Sequence, residues 1–121
     1  MPPEGGWDWP EVRRSVRNKP ELLHGAVWMD DRLCGLFVGW TGQGAFQIAA
    51  LEGDPRADCP LKGCILLIIL ETCSCYAQRL GLRELRILEP ANEKLISLYE
   101  SSFGFRIVRK RNEPCYMVRE V

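Results

Sequence analysis

The feature that most constrains this chain is a change of hydrophobic period in its middle. From Lys62 to Leu80 the residues Leu66, Ile69, Leu70, Cys73, Ala77 and Leu80 fall on one helical stripe, and Gly81 stands where a helix ends. Ile65, Leu67 and Ile68 widen the apolar arc, which predicts a helix buried on more than one side. Before it, Ala45–Leu51 reads as an interior strand running out at Glu52-Gly53-Asp54-Pro55. After it, Leu82–Glu89 reads as a short strand stopped by Pro90. Strand, helix and strand make a β-α-β unit from Phe46 through Leu88, since parallel neighbours need a crossover of helix length.

Hairpins flank this unit. Ala26–Met29 and Leu33–Trp40 are β-like runs around the polar turn Asp30-Asp31-Arg32, and Thr41-Gly42-Gln43-Gly44 is turn chemistry leading into the interior strand. Past Pro90, Asn92 is an N-cap candidate for a second helix whose stripe is Leu95, Leu98, Tyr99 and Phe103, with Gly104 at its end. The chain closes with Phe105–Val108, a turn at Arg111–Pro114, and Cys115–Val118. At the other end, Pro10–Arg17 reads as a short helix stopped by Asn18-Lys19-Pro20. Trp7 and Trp9 before it either pack on the core, line an acceptor pocket or make a subunit contact, as in a homodimer. The expected architecture is one mixed α/β (α+β) domain over residues 1–121.

Composition narrows the function. Sixteen Lys plus Arg balance sixteen Asp plus Glu, so no positive field holds a nucleic acid or an anionic membrane. The longest apolar run, Cys64–Leu70, is far short of the ~20 residues that span a bilayer. The opening Met1–Gly6 has neither the basic start nor the apolar stretch of a secretory signal, so a cytoplasmic address and reduced thiols are expected. The six cysteines then read as buried free thiols. No metal site is expected, because there is no Cys-x-x-Cys and His24 is the single imidazole, a surface residue without a role.

The run Pro90-Ala91-Asn92-Glu93-Lys94-Leu95-Ile96-Ser97-Leu98-Tyr99-Glu100-Ser101-Ser102-Phe103-Gly104-Phe105 resembles the late helix of the GNAT acyltransferase superfamily: Asn, an apolar pair, Leu-Tyr, then Gly-Phe. Asp54-Pro55 after a strand, Tyr76-Ala77-Gln78-Arg79-Leu80-Gly81 at a helix end and the final Tyr116-Met117-Val118 agree with it, over roughly residues 22–121. The resemblance implies a central mixed sheet in which the strands Phe46–Glu52 and Leu85–Leu88 splay, with the pantetheine arm of the co-substrate acetyl-CoA between them. It implies transfer of an acetyl group to a small-molecule or protein amine. Tyr99 would protonate the departing thiolate, Glu52 would take the amine's proton, and Asn92 and the strand end at Leu51 and Glu52 would contact the cofactor.

The family's pyrophosphate site is the start of the helix after the splayed strand, which falls at Lys62, Gly63, Cys64 and Ile65. Here the sequence departs from the pattern. Pro60-Leu61-Lys62-Gly63-Cys64-Ile65 keeps one glycine and puts bulky Ile65 or Leu66 where a second small residue is expected. Few residues precede Gly25, so the family's first strand and helix are expected to be shortened or missing. The alternative expectation is therefore a catalytically inactive GNAT-fold module that binds CoA or a protein.

Overall fold

The computed structural model describes residue 10 and residues 22–121 apart from 57 and 62. The expected helix Pro10–Arg17, apart from Pro10 itself, lies outside the described residues, as do Trp7, Trp9 and Lys62.

Six strands form one sheet in the order β1-β2-β3-β4-β6-β5. They are β1 (Leu22–Met29), β2 (Arg32–Gly42), β3 (Ala45–Gly53), β4 (Glu84–Leu88), β5 (Arg106–Val108) and β6 (Tyr116–Glu120). The helices are α1 (Ile65–Arg79), between β3 and β4, and α2 (Glu93–Phe103), between β4 and β5. β3 and β4 pair in parallel and every other pair is antiparallel, so hairpins flank a parallel β-α-β unit as expected. The closing hairpin turns inward, with β6 rather than β5 beside β4.

Turns fix this register. Gln43 (φ 56°) and Gly44 (φ 74°) both take left-handed backbone, the signature of a tight hairpin turn, so β2 runs on through Thr41 and Gly42, which the sequence assigned to the turn. Similarly Arg32 belongs to β2 and the first turn is only Asp30-Asp31. α1 ends as expected at Gly81: its N–H donates to Gln78 O and that of Leu82 to Ala77 O, the paired bonds of a Schellman end.

Both helices lie on one face. Arg119 of β6 donates to Phe103 O at the end of α2 (2.8 Å) and to Ser74 Oγ of α1. Phe46 and Ile48 stand in register with Leu85 and Ile87, and these pack with Ile69, Leu70, Cys73, Ile96 and Tyr99 into one core. Each such fully buried aliphatic side chain contributes about 1.5–3 kcal/mol.

Three expectations are corrected here. α1 is buried on one side only: Leu67 is 48% and Leu80 49% exposed, because the sheet covers a single flank. In α2 the buried residues are Ile96 and Tyr99, which join the core, while Leu98 faces out, because the core covers one flank of the helix. Among the cysteines Cys34, Cys59 and Cys73 are buried, but Cys64 and Cys75 are exposed; all six are free thiols.

Candidate active site

The site begins where two ladders end at different places. β3 pairs with β2 as far as Gly35 opposite Gly53, but with β4 only from Ala45–Glu84 to Ile48–Ile87. The register with β2 also slips there, from Gly39–Ile48 to Val38–Ala50, so Ala49 is an extra residue on β3. Such a bulge bends and twists its strand away from its neighbour. On the other lip, Pro90 has no N–H with which to extend β4, and the N–H of Glu89 is turned to Cys115 O (3.1 Å). β3 and β4 therefore part beyond Ile48 and Ile87, leaving the backbone of Ala49–Leu51 without a ladder partner on its β4 side.

A shallow cleft, open to solvent, occupies this gap. Ile48–Leu51 form one wall, Ile87, Leu88, Glu89, Pro90 and Ala91 the other, and Leu95 and Tyr99 of α2 the floor. Of the residues expected from sequence, Tyr99 and Leu51 line the cleft. Tyr99 is 3% exposed, with its ring centroid 6.0 Å from that of Phe105 and 6.4 Å from that of Phe103. Burial pushes its phenol up to about 12, so it stays protonated at neutral pH.

Asn92 caps α2: its Oδ1 accepts from Leu95 N–H at 2.9 Å and its carbonyl from Ile96 N–H at 3.1 Å. It is exposed and outside the cleft lining. Glu52 is half-buried at the end of β3, in register with Leu36. Alternation along the strand turns it away from the α1 face that Leu51 and Gly53 meet, so it too stands outside the lining.

The start of α1 is built differently from that of α2. Cys64 is its N-cap without a side-chain cap bond, no acidic residue stands in its first turn, and Gly63 (φ 87°) has open space around it. Among the described residues, then, the positive end of the helix dipole has neither a side-chain cap nor a first-turn acid beside it. Ile65 does not obstruct that end. It is buried against the sheet, where a β-carbon on Gly35 would lie 2.7 Å and one on Gly53 3.3 Å from its Cγ2.

The loop into α1 is anchored by ions the sequence reading missed. Arg32 of β2 donates from Nη2 to Asp54 Oδ2 (2.9 Å) and Asp58 Oδ1 (2.9 Å), and from Nη1 to Asp58 O (3.1 Å). Arg56 donates to the same Asp54 carboxylate at 2.8 Å, and Asp54 N–H reaches back to Cys34 O at 2.8 Å. Hydrogen bonds from Arg56 and Arg32 hold the Asp54 carboxyl well below the usual carboxylate range. No local signal pairs Arg32 with Asp54 across twenty-two positions. The bulge at Ala49 and the role of Glu89 in the lining likewise had none.

No protein-family model matches the sequence, and no curated protein matches it. Solved structures do. The PaiA N-acetyltransferase of Thermoplasma acidophilum, in complex with coenzyme A, superposes with a TM-score of 0.64 at 19% identity, covering 91% of this chain and 66% of that one. The ribosomal-protein-S18-alanine N-acetyltransferase of Escherichia coli gives 0.70 at 15% identity, covering 96% and 78%. An acetyltransferase of the GNAT family from Staphylococcus aureus gives 0.70 at 10%, covering 93% and 77%. The chain thus has the fold of the GNAT acetyltransferases, and spans just under two thirds of the first of these proteins.

Proposed function

We propose that this chain is a GNAT acetyl-CoA-dependent N-acetyltransferase, a single domain over residues 1–121, that transfers an acetyl group to an amine by direct attack on the thioester. The observation that carries this reading is the parting of β3 from β4 with a protonated, buried phenol in the gap. Extended ligands that contain amides add to an unpaired strand edge, here Ala49–Leu51. Diphosphates settle on uncapped helix starts, here Gly63, Cys64 and Ile65, with Lys62 carried forward from the sequence alone.

The acceptor is a small-molecule or protein amine. It must lose its ammonium proton before its lone pair attacks the acetyl carbon, and Glu52 on the face of β3 away from α1 is our candidate base, acting through water. N–H groups near Leu51 and Glu52 stabilise the developing oxyanion, the C–S bond breaks, and the thiolate takes its proton from the Tyr99 hydroxyl. Among the described residues no helix is long and apolar enough to cross a membrane. Six free thiols accord with a reducing, cytoplasmic setting.

The single glycine in the loop before α1 favours a second reading, a GNAT-fold module without catalysis. Thermal unfolding with acetyl-CoA separates the readings first. At 100 times its dissociation constant the ligand adds about 2.7 kcal/mol of stability. No shift at millimolar acetyl-CoA would sink the enzyme reading. Tyr99→Phe should keep the shift and lower CoA release on an amine panel by about 10²–10⁴-fold, and turnover as in the parent would remove Tyr99 from the chemistry.

A further inference from the structure

α2 has no basic residue in its own last turn, so the carbonyls at its end meet no cation from the helix itself. Arg119 of β6 supplies one from the sheet, with Nη1 donating to Phe103 O at 2.8 Å. The contact is more than a charge at a helix end. The Arg119 guanidinium lies over the Phe105 ring, 4.9 Å from its centroid, and its stem runs beside Gly104, where a β-carbon would stand 3.8 Å from Arg119 Cδ. Its Nη2 donates to Ser74 Oγ of α1 and lies 3.5 Å from Glu71 Oε1. A planar fork is what lets one side chain stack on a ring and donate from both edges.

Phe103 and Phe105 are also the aromatic neighbours of Tyr99 among the described residues, with ring centroids 6.4 Å and 6.0 Å away. Phe105 is joined to Tyr99 a second time, by its N–H on Tyr99 O at 3.1 Å. Arg119 therefore touches both residues that flank the Tyr99 ring. Edge-to-face contact fixes the tilt of a ring as well as its distance, so a shift of Phe105 is passed to the phenol. Displacing a reacting group by ~1 Å is enough to cost about 10²-fold in rate.

We propose that Arg119 is a positioning residue: by clamping Phe103 and Phe105 it sets where the Tyr99 phenol stands in the cleft, and so how well that phenol reaches the departing thiolate. The placement stands on these contacts; its effect on the thiolate rests on the acetyltransferase reading.

Arg119→Met keeps a stem and loses the fork. With the tyrosine ring carbons labelled and followed by NMR, and the Tyr99 signals assigned by their loss in Tyr99→Phe, those signals should move in Arg119→Met. The signals of Tyr116, on the other face of β6, should stay. In acetyl transfer Arg119→Met should lower kcat by about tenfold or more with KM for acetyl-CoA within about twofold, because a misplaced acid slows the chemistry without weakening the binding. In Tyr99→Phe, where there is no phenol to place, the same substitution should cost no more than about twofold further. A merely structural arginine would lose activity equally in both backgrounds. Urea midpoints report whether each variant is folded; Arg119→Lys, which keeps the charge without the planar fork, replaces Arg119→Met if that variant is not, and is read in the same way. Tyr99 signals as in the parent, an unchanged kcat, or an equal loss with and without the phenol overturns the proposal. A parent without transferase activity on the amine panel, or a Tyr99→Phe as active as the parent, removes the effect on the thiolate, and the ring signals alone then decide whether Arg119 places Tyr99.

Discussion

The two helices begin in opposite ways. α2 is started by its own residues: Asn92 closes a hydrogen bond to Leu95 N–H and Glu93 puts a negative charge in the first turn. α1 has neither a side-chain cap nor an acid, and is started by distant parts of the chain: Ile65 lies on Gly35 and Gly53, and Arg32 with Asp54 and Asp58 ties down the loop before it. A locally capped start has its donors satisfied and is structural. A start held from outside carries no cap of its own among the described residues, the kind of helix end on which anions settle.

That contrast can be broken or sharpened. The largest expected effect is that of Gly35→Val, whose branched side chain would drive into Ile65; it should cost about 1–3 kcal/mol in urea unfolding and also diminish the acetyl-CoA shift. A cost with the shift intact would separate the seating of Ile65 from ligand binding. Asn92→Ala should cost about 1 kcal/mol and leave the acetyl-CoA shift unchanged, because the cap acts within α2 alone. A lost shift would instead give Asn92 a cofactor contact.

A further effect is confined to acid. The Asp54 carboxyl is lowered in the folded chain, so its contribution to stability is full above its unfolded value of about 3.9 and is lost as pH falls below it. Urea midpoints should therefore drop between pH 5 and pH 2 in the parent, and drop less in Asp54→Asn. The smallest effect is that of Leu67→Glu, which gives α1 the first-turn acid that α2 has in Glu93. It should raise stability by about 0.3–1 kcal/mol while weakening acetyl-CoA binding, as measured by calorimetric titration. Unweakened binding would show that the start of α1 receives no anion.

Particular residues show how far the sequence could be read. The β-α-β order from Phe46 to Leu88 was legible because hydrophobic period is a local property, and Gly81 and Gly104 were legible because left-handed ends favour glycine. Tyr99 and Leu51 were placed through resemblance and do line the cleft. Asn92 was legible as a cap, and its Oδ1 does accept from Leu95 N–H. Glu89 was read only as the end of a strand, since neither its backbone angle nor its place on the cleft wall is written in its neighbours. The outward turn of Leu98 was missed because a stripe of apolar residues leaves the phase of a short helix open by one position.

By itself the sequence determined the elements, their order and their chemistry at each end, since these depend on contacts within a few residues. Only the tertiary structure decided which residues meet: that β3 leaves β4 at Ile48 while staying with β2 to Gly53, that Ile65 turns inward from the start of α1, and that Tyr99 of α2 and the strand end at Leu51 line one cleft. The physical reason is that a site is made where ladders end, and ladder ends are set by packing between strands far apart in the chain.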